Sequence, residues 1–481
     1  MFTNGIENHS WEYLAEGNSS IVFSCCEIRW VLRLNKFSSD EGSHMNRSPQ
    51  FSPSQGQLYT EKILKPLFDD NRYFIDAQVI ELLDDFKDRL IKIAVSCPTR
   101  PEERKCKSLT AGNLAVLMPH LGFYENDTDL CKEGGTIDGS SYSIEIKPKW
   151  GFVPKLSPQH QSDCAASSLA CRFCMHQELK LVEGKIKSHS LYCPLDLFSH
   201  CTCRLKRALH SLFQEPQNNL RVFHNGQLIY SGLFVKDGKS SLSTLCHDFN
   251  NILVPGKEKI LDVNSLVNIL SSILVADSWQ KSLSLVQETK RCKAKTSPSC
   301  RLNESEVIDD SQCTPLALNG VLQKLLKVQQ ISDSSMDEID SIYQKVIKTT
   351  NQEEILNNLG DFSSSSWETF TTKMKFDEQI LKKDLVEATT EELIFELQKF
   401  LVAATFRDCS IMITFKEATT REEKPQRMIK DLSTGCNYAY KIKLIDLDPK
   451  SSSKIEYYKK LNDKILGNFI QKINKDIKIQ A

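Results

Sequence analysis

Two segments near the C-terminus place aspartates beside apolar runs: Arg407-Asp408-Cys409-Ser410-Ile411-Met412-Ile413 and Leu444-Ile445-Asp446-Leu447-Asp448-Pro449-Lys450. Upstream, Glu145-Ile146-Lys147-Pro148-Lys149 and Asn218-Asn219-Leu220-Arg221 set carboxylate, amide and cation close together. Carboxylates at strand ends can hold a divalent cation or move a proton. Lysines and arginines beside them can neutralise phosphate oxygens. Lys147 and Lys149 alternate on an extended segment, so both can face one pocket. The combination points to phosphoryl transfer to a small, highly anionic acceptor, a reaction that depends mostly on positioning and charge neutralisation. Taken singly, each aspartate could equally cap a turn or a helix, and each lysine could be a solvated surface charge.

The 481-residue, 54.8 kDa chain is long enough for two or three packed lobes. Its 40% hydrophobic and 26% charged content is that of a soluble globular protein. A net charge of −1 gives no global field to draw it to nucleic acid or an anionic membrane, so cations for a polyanion must be concentrated locally. Met1 to Gly17 has no apolar signal core, and no apolar run approaches the roughly 18–20 residues of a membrane helix. The ending Lys478-Ile479-Gln480-Ala481 matches no lipidation or retention signal. Seventeen cysteines without an export signal imply reduced thiols in the cytoplasm or nucleus, or a metal site, rather than disulfides.

The elements that must position these groups emerge from local patterns. Ser20–Cys25 and Trp30–Leu34 read as strands joined by a charged turn at Glu27-Ile28-Arg29. Before them, Glu16-Gly17-Asn18-Ser19-Ser20 is a small-residue loop that could approach a phosphate or be an ordinary β-turn. Ser38 to Gln57 reads as a mobile loop, and Ile75 to Ile93 as a helix with Val79, Leu82, Leu83 and Phe86 on one face. Leu114–Met118 is a short buried strand ended by Pro119 at a hinge. Tyr142–Lys147 alternates as a strand, and Leu220–Tyr230 is a hairpin with a type I′ turn at Asn225-Gly226. Polar residues 289–312 read as a flexible insert. Helices are expected at Pro315–Val328 and Asp337–Ile347, and from a capping box at Thr389-Thr390-Glu391-Glu392 to about Ala404. Ile411–Phe415 and Tyr440–Ile445 read as buried strands. Lys454 to Lys478 reads as an amphipathic helix through Leu461, Ile465, Phe469 and Ile473.

In order along the chain, these motifs resemble the inositol-pentakisphosphate 2-kinases. The most specific pieces are Glu145-Ile146-Lys147-Pro148-Lys149, Met175-His176-Gln177-Glu178-Leu179-Lys180, Pro194-Leu195-Asp196-Leu197, Gln217-Asn218-Asn219-Leu220-Arg221 and Asp408-Cys409-Ser410-Ile411-Met412. The resemblance implies an α+β, two-lobed kinase-like fold. Residues 1–121 would form a smaller N-lobe with nucleotide-binding strands, and 122–481 a larger C-lobe carrying inserts. It implies a monomer that phosphorylates the 2-hydroxyl of inositol 1,3,4,5,6-pentakisphosphate with magnesium and ATP. By resemblance, Asp446 holds magnesium and the ATP phosphates, with Asp448 as a second magnesium ligand. Asp408 acts as general base or orients the hydroxyl, with Lys147 beside it. Gly17, Asn18, Arg33, Glu145, Arg221 and Met412 meet the nucleotide: Arg33 where protein kinases place a strand lysine, Glu145 at the ribose and Met412 on the adenine. Arg104, Lys147, Lys149, His176, Lys180, Asn218, Asn219, Lys450, Lys454 and Tyr458 surround the acceptor, whose five phosphates each carry roughly −1.5 to −2. The triplets His-Arg-Asp and Asp-Phe-Gly of protein kinases are absent, which argues against a protein substrate.

The chain also departs from that family. Where relatives show a further basic residue soon after Arg33, Phe37-Ser38-Ser39-Asp40 stands here. Lys454 stands where some relatives have arginine, and Glu178 replaces a histidine. Cys171-Arg172-Phe173-Cys174 is a C-x2-C knuckle, followed by Cys193; with His160 or Cys164 it would make a structural zinc site, unless these are reduced core cysteines. The later Cys/His zinc site of plant relatives is missing, since neither residue type occurs between Cys313 and Asp408. Two rival readings are a kinase of other inositol polyphosphates and a catalytically inactive zinc-bearing scaffold for protein or nucleic-acid partners. Intact Asp408 and Asp446 argue against the second.

Overall fold

A computed structural model describes residues 5–37, 51–105, 109–124, 140–155, 170–232, 262–277, 320–349, 351–375, 388–418, 427–431 and 435–480. His160, Cys164, the insert expected at 289–312 and residues 38–50 of the expected loop lie outside them. The architecture is α+β, with two antiparallel sheets and helices packed on them.

The first sheet contains β1 (Glu12–Glu16), β2 (Ser20–Cys25), β3 (Trp30–Phe37), β4 (Gln78–Glu81) and β5 (Thr110–Pro119), in the order β1-β2-β3-β5-β4. Alternation in β2 and β3 decides which side chains meet. Ile21 pairs with Leu34 and Phe23 with Leu32, and all four are fully buried in a core with Leu90 and Ala115. Arg33, between two core leucines, must therefore project from the opposite face. Each such buried leucine contributes about 1.5–3 kcal/mol. Leu32→Ala is expected to lower unfolding free energy by about 2–5 kcal/mol in a urea titration.

Two expectations here need correction. Residues Gln78–Glu81, expected within a helix, form β4 along the edge of β5, and the helix α2 spans only Asp84–Ser96. The free ladder groups of β5 override the helical spacing, and Leu83 ends 70% exposed while Leu82 and Phe86 are buried. Likewise Pro53–Tyr59, partly inside the expected loop, is helix α1. Ser52 and Gln55 form a reciprocal capping box with Pro53 in the first turn, a start signal that outweighs the loop-like composition. A one-turn helix, α3 (Glu102–Lys105), comes after α2.

The second sheet contains β6 (Ser141–Ile146), β7 (Leu220–His224), β8 (Gln227–Ser231), β9 (Ser410–Glu417), β10 (Met428–Lys430) and β11 (Asn437–Ile445), in the order β10-β11-β9-β6-β7-β8. The β7–β8 turn has Asn225 at φ 45° and Gly226 at φ 79°, the doubly left-handed geometry of a type I′ turn. The core of this sheet includes α5 (Thr202–Gln214), α6 (Val263–Asp277) and α7 (Val321–Gln329). Helix α8 (Met336–Val346) and α9 (Thr390–Phe406) each begin at the N-cap of a capping box, Ser335 with Glu338 and Thr389 with Glu392. The last helix, α10 (Ile455–Gln480), buries Ile465, Leu466 and Phe469 against Met175 and Leu179 of α4 (Arg172–Val182). No helix among the described residues is long and apolar enough to cross a membrane.

Candidate active site

Strand register in the second sheet assembles the site. Ile146 at the end of β6 pairs with Ile411 near the start of β9 and Leu220 at the start of β7. Ser410 pairs with Ile445 at the end of β11. One edge therefore gathers Lys147, just past β6, and Asp446, just past β11, with Asn219 ahead of β7 and Asp408 ahead of β9.

At that edge Lys147 Nζ lies 2.9 Å from Asp446 Oδ2 and 3.9 Å from Glu145 Oε1. Burial disfavours the Lys147 charge, but Asp446 and Glu145 outweigh it and raise the ammonium above its usual range. Ser410 Oγ donates to Glu145 Oε1 at 2.9 Å and stands 3.5 Å from Asp446 Oδ2. Arg221 Nη1 reaches Glu145 Oε2 at 3.3 Å, as the opposed pairing of β6 and β7 requires. Asn219 exchanges hydrogen bonds with the Lys147 backbone: its Nδ2 donates to Lys147 O at 3.0 Å, and its own carbonyl accepts from Lys147 N–H at 2.9 Å. Asn218 beside it is exposed. Three non-glycine residues around this edge adopt positive φ: Lys149 at 60°, Gln217 at 44° and Asp446 at 60°. Left-handed backbone costs about 1–2 kcal/mol per residue, and such strain concentrates at functional sites.

Asp408 sits between two lysines, with Lys450 Nζ at 3.0 Å and Lys149 Nζ at 3.3 Å. Partial burial would raise its carboxyl, but the Lys450 and Lys149 charges prevail and hold it at about 2. It is thus an ionised carboxylate, able to orient a hydroxyl and accept its proton. Further cationic side chains crowd in around these two lysines, and the His176 imidazole beside them is neutral near pH 7. Burial and neighbouring positive charge lower Lys180 (beside Lys149 and Lys185), lower Lys454 (beside Lys450), and bring His176 to about 4 (beside Lys180, Arg172 and Lys149). His176 and Lys180 are one turn apart on α4 and share a face. Tyr458, on α10, is raised by burial and packs against Phe400. A polyanion entering here would relieve the mutual repulsion of these groups.

On the other side, Arg33 makes a two-pronged ion pair with Asp448, one prong being Nη1 to Oδ1 at 2.6 Å. The pair tethers the first sheet to the segment after β11. Despite burial, it lowers the Asp448 carboxyl and raises the guanidinium. Gly17 and Asn18 form the β1–β2 turn, where Gly17 N–H donates to Ser20 O at 2.8 Å. Arg104 of α3 donates to Asn18 Oδ1 at 2.6 Å. Met412 is buried on β9 between Glu145 of β6 and Lys443 of β11. Three residues beyond Arg33, Lys36 pairs with Glu16 at 2.6 Å, and Arg100 Nε reaches the same carboxylate at 2.8 Å. Asp446 offers a hard oxygen donor that suits magnesium, and Asp448, two residues on, could add a second only once Arg33 releases it, since that guanidinium engages both of its oxygens here.

The profile of the inositol-pentakisphosphate 2-kinase family matches residues 13–464, which include every group named above. The chain belongs to this family. It is 28% identical to the inositol-pentakisphosphate 2-kinase of Danio rerio, over 98% of this chain and 95% of that protein. It is 26% identical to that of Arabidopsis thaliana over 72% of this chain and 64% of that protein. It is 37% identical to that of Drosophila melanogaster over a shorter stretch, 27% of this chain and 24% of that protein.

Cys171, Cys174 and Cys193 bring their sulfurs within 4.8 Å of one another. The Cys171–Cys193 separation is 3.9 Å, and the Cys174 N–H donates to Cys171 Sγ at 3.4 Å. Zn–S bonds of about 2.3 Å in a tetrahedron put sulfurs about 3.8 Å apart, so the three thiols fit zinc. Ser410, part of the Asp408–Met412 motif but given no role from sequence, links Glu145 to Asp446. Gln329, at the end of α7, bonds to the Lys149 and Gly151 backbone. Gln329 belongs to no motif, and nothing local in the chain marks it.

Proposed function

We propose that the protein transfers the γ-phosphate of ATP to the 2-hydroxyl of inositol 1,3,4,5,6-pentakisphosphate, giving the hexakisphosphate. The observation that carries this reading is Asp408, held ionised between Lys149 and Lys450, with Lys180 and Lys454 close to those two lysines. A carboxylate alone would suit many acceptors. A carboxylate between Lys149 and Lys450, with Lys180, Lys454 and the neutral imidazole of His176 near them, suits one bearing many phosphates. The names of the relatives support the same acceptor.

In this reading Asp408 orients the hydroxyl and takes its proton. Asp446 would hold magnesium, joined by Asp448 when Arg33 turns from it to the nucleotide phosphates, and the ion would supply charge neutralisation at the transferring phosphoryl group. Lys147, paired with Asp446, would steady that carboxylate and reach toward the transferring phosphoryl group. Arg33 and Arg221 serve the nucleotide phosphates, Glu145 the ribose and Met412 the adenine; Arg104 serves an acceptor phosphate. The N-lobe ends near residue 121, and the protein works as a monomer in the cytoplasm and nucleus.

The test is a transfer assay with magnesium-ATP and a panel of inositol phosphates, resolving products by charge. Conversion of the pentakisphosphate alone to hexakisphosphate is the expected result. No product from folded, ATP-binding protein would overturn the reading, and faster turnover of a less phosphorylated isomer would replace the acceptor.

The three-thiol cluster supports a structural zinc ion that pins the start of α4, the helix bearing His176 and Lys180. Elemental analysis is expected to find one zinc per chain in the wild type and none in Cys171→Ser/Cys174→Ser. Chelation should lower the midpoint of thermal unfolding. A wild-type protein free of zinc when purified without chelator would count against the site.

A further inference from the structure

We propose that the Gln329 carboxamide is a positioning residue for phosphoryl transfer: it clamps the backbone that presents Lys149 to the backbone that presents Asp408. Gln329 is fully buried. Its Nε2 donates to Lys149 O at 2.9 Å and to Phe406 O at 3.1 Å, while its Oε1 accepts from Gly151 N–H at 2.9 Å. Both N–H bonds and the carbonyl oxygen are thus committed, and they join two segments more than 250 positions apart. Their side chains meet in the 3.3 Å contact of Lys149 with Asp408.

A second tie runs between the same segments. Arg407, which precedes Asp408, donates from Nε to Gln329 O at 3.0 Å and from Nη2 to Ser332 O at 2.8 Å. Its guanidinium lies 4.4 Å from the ring centre of Trp150, the residue after Lys149, and 5.2 Å from that of Phe152. These bonds and rings engage the buried Arg407, so it acts as a strut rather than as a further phosphate ligand. Lys149 needs such support because its φ of 60° is unfavourable for a residue with a Cβ. Only a planar amide supplies two donors and an acceptor at this point; glutamate and leucine cannot.

The clamp rests on the proposed reaction only for its kinetic consequence, so one measurement is made without ligands. Gln329→Leu is compared with Gln398→Leu, which removes another buried amide in the same helical region, one that donates to Ser366 Oγ at 2.7 Å. In Gln329→Leu, hydrogen exchange across residues 147–152 is expected to rise, and kcat to fall about 30–100-fold with KM for ATP within about twofold. Gln398→Leu is expected to lose comparable thermal stability with neither change. Gln329→Asn keeps the amide but is one methylene shorter, so it should fall between; it carries the same readouts if Gln329→Leu does not fold. Unchanged exchange at 147–152, or activity lost only in proportion to the unfolded fraction, would overturn the clamp. If exchange rises while the wild type leaves the pentakisphosphate untouched, the clamp stands and the proposed acceptor falls.

Discussion

Asp446→Asn is expected to cut kcat about a thousandfold or more, on the order of the several kcal/mol of charge stabilisation that a bound metal supplies. Asparagine is the informative replacement. Asp446 lies at φ 60°, where asparagine is tolerated, whereas alanine would add backbone strain to the chemical loss. The change leaves an oxygen in place but removes the negative charge facing Lys147, whose remaining carboxylate neighbour is Glu145 at 3.9 Å. Because Lys147 is largely buried, losing its nearer partner should lower thermal stability somewhat, while magnesium-dependent ATP binding weakens. Titrating ATP with and without magnesium separates the two effects. A kcat within tenfold of wild type would remove Asp446 from the metal site.

Asp408→Asn is expected to lower kcat by about 10²–10⁴-fold, the span of general acid–base effects, with KM for both substrates changed far less. The neutral amide keeps the size of the carboxylate but cannot take the hydroxyl proton. The charge environment adds a pH prediction. Lys450 and Lys149 hold the carboxyl at about 2, below its usual 3.8, so its ionised form is lost only as pH falls through that low value. Asp408 should therefore place no acid limb on kcat/KM between pH 5 and 8. Any limb near 6 would report the acceptor's phosphates instead. Lys450→Met removes the nearer charge and should move the Asp408 ionisation upward, toward its ordinary range. Normal turnover by Asp408→Asn would show that the hydroxyl proton leaves by another route.

Local chemistry made a good part of this molecule readable in the chain. Asn225-Gly226 specifies a turn with two positive φ values, so the β7–β8 hairpin was legible. The capping box at Thr389 marked the start of α9, and the β-branched and aromatic run from Trp30 to Leu34 marked the strand that carries Arg33. Residue types in Glu145–Lys149, Asp408 and Asp446–Lys450 were enough to suggest phosphoryl chemistry, because carboxylates and cations at strand ends have few other uses in combination.

Pairings between distant segments were decided only by the folded chain. Gln78–Glu81 carries spacing compatible with a helix, and it became β4 because β5 offered an open edge. The resemblance places Asn219 by the acceptor, and only the fold shows that its amide also bonds the Lys147 backbone. Gln329 has no sequence signature at all, since its role depends on three backbone groups supplied by segments far from it in the chain. Residue types and local patterns set which chemistry was possible and which elements carry it. The order β11-β9-β6-β7 determined that Lys147, Asn219, Asp408 and Asp446 share one edge. Propensities and caps act over a few residues, whereas register is set by burial and ladder bonds between strands hundreds of residues apart.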